Sequence, residues 1–421
     1  MMNFSRLFDR IFQRGVRHIP TLYANRTPLQ LEQFLTNDEY QGIKKFDNVF
    51  VLPFVSRQSE RSQMCFGFGL SRLMIRNLML LRDISIHGPE DTPEIPYEAI
   101  DRLFEVSRAS SYVTGVAHYE PNDYSVSLEY HHPGQPVTTA QVKHENFEAF
   151  LRECSWMIAC LLRSKVDENL KRAWTVAQPR NVDTLVELGR IHVDFTRDQP
   201  VERGQVVKNI LAADPTFAVA LWDFDNELPD ARQKYIEGLK RDPFNAQLHF
   251  ETFIAIWKSK GPQPEALQFC RRAIELSPGH GKAHMCAPHA AHRPLEMLRH
   301  SELGYRLLPG NSFAINNYTL ALTRANAPAV QRIELAEEGI AADPRDPGSY
   351  ERLIELCMTL GDFRTALATA ERLQKLYSPK MDERALYCLR QNPERARLID
   401  SRAYDPVSEN SQRITELRKR I

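Results

Sequence analysis

His280, His284, Cys286, His289 and His292 place five side chains of metal-ligating type within thirteen residues. Imidazole and thiolate are the preferred ligands of zinc and copper, and residues four apart share a helix face, as His280 and His284 would. Pro278, Gly279 and Gly281 surround the first histidine, Pro288 interrupts the group and Pro294 follows it. The spacing matches no standard zinc pattern. These are read as ordinary histidines of a helical segment, and no metal or other cofactor is expected. Gly67-Phe68-Gly69 ahead of an apolar helical pattern has the look of a phosphate-binding turn, because exposed amides at a helix start attract anions. It lacks the third glycine of a dinucleotide fingerprint and the Gly-Lys-Ser/Thr of a P-loop. A tight strand-to-helix entry explains the glycines more simply. His131-His132 reads as a solvated turn at a hairpin edge. No Gly-x-Ser-x-Gly, His-Glu-x-x-His or paired-carboxylate motif occurs in the chain. The expectation is a protein that is not an enzyme. A site assembled from distant positions is the alternative.

Composition narrows the classes further. Lys plus Arg equal Asp plus Glu at 54 each, so the formal net charge is zero, which argues against nucleic acid as a partner. A hydrophobic share of 43% with 26% charged residues is globular, and 421 residues suit two or three domains. The seven cysteines are scattered without a paired spacing, as expected of reduced thiols in the cytoplasm. The apolar run Trp156–Leu162 is far short of the ~20 residues that span a bilayer, so no integral membrane segment is expected.

The elements that would position any site divide near residue 170. Residues 1–45 form an amphipathic extension: Phe4, Leu7, Phe8, Ile11 and Phe12 alternate with Arg6, Arg10, Arg14 and Arg17, against Asp9, the single acid of the first twenty residues. Docking on the chain's own domain is expected. A peripheral membrane contact through residues 3–17 and a transit peptide are the alternatives. Residues 46–165 mix strands and helices. Val49 to Phe54 is a continuous apolar run, as in a strand covered on both faces. Leu70 to Leu81 repeats apolar residues at helical spacing, Ile84-Ser85-Ile86 is a strand, and Tyr97 to Arg108 a helix. Tyr112 to Tyr119, the alternating Tyr124 to Tyr130 and Val137 to Lys143 are three successive strands. An amphipathic helix from Phe147 to Leu161 closes a β-α-β-α-β-β-β-α order.

Four pieces of this segment resemble the TolB amino-terminal-like domains. They are the strand end Val51-Leu52-Pro53-Phe54, the opening Phe66-Gly67-Phe68-Gly69-Leu70 with Leu73 behind it, the strand Tyr112-Val113-Thr114-Gly115, and the hairpin with its final helix. The resemblance implies an α+β domain that is not catalytic and is followed by tandem helical repeats. Phe68 stands where the family commonly has an acidic residue, so a polar contact made there in relatives does not carry over.

Residues 170–379 repeat. A helix end followed by a small or acidic residue and proline recurs at Pro179, Pro215, Pro243, Pro278, Pro309, Pro344 and Pro379, at intervals of 36, 28, 35, 31, 35 and 35 residues. The mean is close to the ~34 residues of a tetratricopeptide repeat. Phe250, Phe253 and Trp257 lead one helix of the clearest unit, Gly261 ends it, and Ala266 and Ala273 line the next. Tyr350, Leu353, Gly361, Asp362, Phe363 and Ala366 repeat the scheme. This resembles the tetratricopeptide family, with Leu188-Gly189 at its Leu-Gly step. The units ending at 243 and 309 are short, and the one ending at 344 lacks the glycine after its first helix. A generic helical solenoid of another type is the alternative. Residues 380–421 lose the period and read as charged capping helices.

The expected architecture is therefore an α+β N-terminal domain followed by an all-α, tetratricopeptide-like solenoid of about six repeats. The first helices of the repeats would line a concave face. The register places Arg190, Glu251, Lys258, Glu351 and Glu355 on it. The expected role is a cytoplasmic scaffold that holds a protein or peptide partner there. The alternative is a sensor whose α+β domain binds a small ligand or nucleotide while the repeats relay or oligomerise.

Overall fold

The sheet begins with a helix stop and a strand start. In the computed structural model, which describes residues 34–421 except 59, 89–110, 177, 197–202, 225–229, 261–263, 290–292, 379, 391–392 and 402–403, α1 (Asn37–Ile43) opens on a capping box. The Glu39 amide donates to the Thr36 hydroxyl at 3.2 Å, and the Thr36 amide donates to the Glu39 carboxylate at 2.8 Å. β1 (Asp47–Val51) then lies parallel to both β2 (Ile84–His87) and β3 (Ser111–Glu120). β3, β4 (Asp123–His131) and β5 (Thr138–His144) form an antiparallel meander, giving the order β2-β1-β3-β4-β5. Asn122, at φ 61°, makes the tight β3–β4 turn. α2 (Arg61–Leu78) and α3 (Phe147–Leu161) pack on the sheet. The residues expected to form a helix at 97–108, and those at 3–17, lie outside the described part of the chain.

α2 differs from its sequence expectation in a way that matters. It starts at Arg61, nine residues before Leu70, so Gly67 and Gly69 lie inside a helix and not at its mouth. Their amides point along the helix into its own hydrogen bonds, so the phosphate-turn reading has no structural basis. Gly69 instead permits close approach to α5 (Val182–Thr196): a β-carbon there would overlap the Leu185 carbonyl, and one at Gly189 would fall 2.6 Å from the Cys65 carbonyl carbon and 2.8 Å from the Gly69 nitrogen. The two helices touch backbone to backbone, which only residues without side chains allow.

Helices follow one another to the end of the chain: α4 (Glu168–Val176), α5, α6 (Arg203–Ala213), α7 (Ala231–Arg241), α8 (Ala246–Lys260), α9 (Pro264–Leu276), α10 (Gly281–Cys286), α11 (Pro294–Leu307), α12 (Ser312–Arg324), α13 (Ala329–Ala342), α14 (Pro347–Leu360), α15 (Phe363–Tyr377), α16 (Glu383–Arg390), α17 (Pro393–Asp400) and α18 (Pro406–Arg418). Pro215, Pro243, Pro278, Pro309 and Pro344 each stand two residues past the end of a helix, of α6, α7, α9, α11 and α13 respectively, where a residue without an N–H cannot extend it. The two short units show what shortness costs. In the unit ending at Pro243 the first helix is a 3-10 segment, Ala218–Asp223. In the unit ending at Pro309 it is the six-residue α10 followed by a 3-10 turn at 287–289. The longer spacing before Pro344 and after it accommodates two full helices each. α14 stops on Gly361 in the left-handed conformation (φ 79°), and Asp362 caps α15 by accepting from the Thr365 amide at 3.1 Å.

The described residues gather into two compact units: Thr36–Ala283, and His284–Ile421 with Phe34 and Leu35. The boundary expected at 165–170 falls inside the first. There a single apolar core runs from Val49 and Phe66 through Leu188, Val207 and Phe217 to Leu248. A buried polar network crosses it. The Arg76 guanidinium grips Asp242 through both carboxylate oxygens, with Nε to Oδ2 at 3.0 Å, and both side chains are wholly buried. Another nitrogen of Arg76 donates to the Ala173 carbonyl at 2.8 Å, and the Trp174 indole donates to the Asn77 carbonyl at 2.8 Å. Asn245 donates to Asp242 at 3.0 Å and accepts from the Trp222 indole at 2.8 Å. The β2 edge is covered as well: the Ser85 hydroxyl donates to the Gly279 carbonyl at 2.7 Å. The second unit has its own core around Tyr350, Leu353, Cys357, Leu373 and Leu417.

Candidate functional site

In a stack of helical pairs, the surface available to a partner is set by which helices lie side by side. In the second unit consecutive helices pack from α11 to α15. α14 also packs against both α12 and α16, the helices two places away in the chain. α12, α14 and α16 thus lie in a row. In the first unit α8 packs against α7 and α9. Its apolar side is filled by Phe253 stacked on Trp257 at 6.1 Å and by Phe250 near the His280 ring at 5.3 Å.

The five residues expected on the inner face fall on three helices. Arg190, half-buried on α5, is paired with Glu187 of its own helix at 2.8 Å. Glu251 and Lys258 are two turns apart on one side of α8 and are half-buried, and Glu251 accepts from the Gln247 amide at 2.6 Å. Glu355 is exposed on α14 and pairs with Arg352 at 2.9 Å, an arrangement of little energetic weight. Glu351, one turn earlier on α14, is different. Arg395 of α17 donates to it at 2.7 Å, and their side chains are only 17% and 14% exposed respectively. The structure thus brings together Glu251 with Lys258 and Glu351 with Glu355. Arg190 stands apart from both pairs in the chain, on α5.

Glu351 is the centre of a cluster that the repeat register did not indicate. Tyr377 of α15, Arg395, Tyr404, and Glu409 and Arg413 of α18 surround it. Burial, then the negative charge of Glu351, push the Tyr377 and Tyr404 hydroxyls above the usual tyrosine range. Burial works against the charge of Arg395, and Glu351, by its charge and its hydrogen bond, together with Tyr404 and Tyr377 outweighs burial and keeps the guanidinium protonated. Burial likewise raises the Glu409 carboxyl. α18 closes the region: Asn410 donates to the Ala370 carbonyl at 2.9 Å, and Ile414 and Leu417 enter the core. Residues beyond the last proline of the repeat complete the cluster, so periodicity gave no reason to look for Arg395 or Tyr404. The Pro393 and Pro406 helix starts were the available signal.

The other chemistry-bearing residues are accounted for within the fold. His284 and His300 face each other with Nδ1 to Nδ1 at 2.9 Å. His280 accepts from the Ala283 amide at 3.3 Å, and His292 lies outside the described residues. Among the described residues no three His, Cys, Asp or Glu side chains converge as a metal site. His131 stacks on Tyr112 at 4.3 Å and accompanies Glu129 at 3.1 Å, more packed than the solvated turn expected from sequence. Ser85, His87 and Asn48 form a serine–histidine–amide trio that no sequence motif signals: Nε2 of His87 lies 2.7 Å from the serine oxygen and 3.2 Å from Asn48. The serine proton goes to the Gly279 carbonyl, leaving the hydroxyl to accept from His87. All three residues are buried, so the trio fastens the 277–280 turn to the sheet edge; it does not present a nucleophile.

Comparison of the chain with protein-family models finds no match, and comparison with curated proteins finds none either. What is established is a small mixed five-stranded sheet followed by many helices. Among the described residues no helix is long and apolar enough to cross a membrane.

Proposed function

We propose that the chain is a non-catalytic cytoplasmic scaffold that docks a protein or peptide partner on the row of first helices of tetratricopeptide-like pairs, with a TolB amino-terminal-like domain at its front. The observation that supports this is the side-by-side packing of α12, α14 and α16, each the first helix of its pair. Such a row offers a rigid surface along which an extended or helical segment gains contacts without ordering the receptor. α8 contributes the corresponding surface in the first unit, with a carboxylate and an ammonium two turns apart. Mixed charge suits a partner bearing both signs, not a polyanion. Glu351 is already engaged by Arg395, so Glu355 is the acidic group that α14 offers.

The test is affinity capture from the native source with the unaltered chain and with Glu251→Ala/Lys258→Ala. The reading expects partner recovery to fall several-fold at an unchanged melting temperature. Equal recovery removes the α8 face from consideration.

A further inference from the structure

Two histidines buried against each other are costly to charge, and the pair His284–His300 is built so that it cannot be charged in place. Both residues are fully buried. Their rings stack at 5.1 Å, with Nδ1 to Nδ1 at 2.9 Å. At that separation one nitrogen donates and the other accepts, an arrangement that two neutral rings satisfy with a single proton between the facing nitrogens. The edge of Phe34 closes on His300 at 5.3 Å. Nε2 of His300 is buried and has no hydrogen-bond partner. Among the described residues, the charge that bears on His300 is of like sign. Arg299 on α11 is a like charge, and the buried Glu296 on that helix is held by Arg293 at 3.7 Å. His289, on the turn packed against α11, is itself held neutral, down to about 4, by burial and by Arg324. Burial, then His284 and Arg299, hold His300 well below the usual imidazole range.

We propose that the seam between α10 and α11 is an acid-sensitive latch, in which proton uptake by the His284–His300 pair parts the two helices and frees Phe34. A charged His300 carries an N–H at Nε2, where it meets no acceptor. A second proton puts N–H on both facing nitrogens and abolishes the bond between them. The open form, whose rings titrate near ~6.5, therefore gains over the closed form by up to tenfold per proton for each pH unit below that value. The latch needs no ligand: the α10–α11 contact is the two-state element, and pH biases it.

Cys286, buried at the end of α10, reports the opening, and the exposed Cys160 serves as the internal reference for thiol chemistry at each pH. The full-length chain is labelled with an aromatic disulfide reagent, and each cysteine is read by peptide mass spectrometry. The ratio of Cys286 to Cys160 labelling is expected to rise at least ~10-fold between about pH 7 and about pH 5, and to stay flat in His300→Leu. Cys154 and Cys357, buried elsewhere, should remain protected. Where His300→Leu folds poorly, His300→Phe keeps a ring against Phe34 and carries the same comparison. A constant ratio in the unaltered chain overturns the latch. So does an equal rise in the variant, or labelling of Cys154 and Cys357 in step with Cys286, which marks general acid unfolding.

Discussion

Replacing Asp242 with asparagine tests whether the sheet and the helices as far as residue 283 form one body. The substitution keeps the shape and removes the charge. Arg76 is wholly buried, so its guanidinium would lose two charge-assisted bonds and stay in a site that water does not reach. Its acceptors would all be neutral: one amide oxygen at 242, the Ala173 carbonyl and the Asn77 amide oxygen. Breaking a buried pair from one side costs about 3–5 kcal/mol, whereas replacing both partners with apolar groups of similar volume is close to neutral. Asp242→Asn is therefore expected to cost about 4 kcal/mol, and Arg76→Met/Asp242→Leu to recover most of it. For a unit of this size that loss lowers the melting temperature by roughly 8–16 °C. Urea unfolding should be followed by circular dichroism and by tryptophan fluorescence, since Trp174 and Trp222 both donate into this network. The two signals should move together. A cost below about 1 kcal/mol, or a fluorescence transition that shifts while the sheet signal stays in place, would refute the single-body reasoning.

Other outcomes follow from the same geometry. Gly189→Ala forces α2 and α5 apart and should cost at least about 3 kcal/mol, measured by urea unfolding, while Gly204→Ala, where a β-carbon meets nothing, should be neutral or slightly stabilising. His289 is held down to about 4, so the stability it contributes is complete above its unfolded value near ~6.5 and is lost as pH falls toward 4, by up to about 3 kcal/mol; melting curves of His289→Phe should show a correspondingly flatter acid limb. Arg395→Ala leaves Glu351 half-enclosed without its cation and should destabilise the second unit by about 1–3 kcal/mol, read by denaturant titration, whereas Glu355→Ala on the same helix should change stability by less than about 0.5 kcal/mol.

The succession of strands and helices along the chain was legible because it rests on local periodicity. The alternation of Tyr124, Val126, Leu128 and Tyr130 marked β4, and prolines marked several helix ends. What local pattern cannot carry is the partner of a residue far along the chain. Gly67 and Gly69 read as a turn because glycine most often serves turns. Gly67 instead clears the Phe54 carbonyl, and the use of Gly69 at a helix crossing depends on Gly189, more than a hundred residues later. Arg76 and Asp242 carry no mark that they meet, although their pairing ties α2 to the helices as far as α7. The five inner-face residues were chosen from repeat register alone. Register gives the side of a helix that a residue occupies but not what the helices after the last repeat lay against it, which is why the engagement of Glu351 by Arg395 was not visible.

The docking account is tested most directly by hydrogen exchange on the chain with and without its captured partner bound. The account expects slowed exchange concentrated on α8, α12, α14 and α16, the first helices of their pairs. Slowing confined to α9, α13 and α15, or to the sheet, would contradict it.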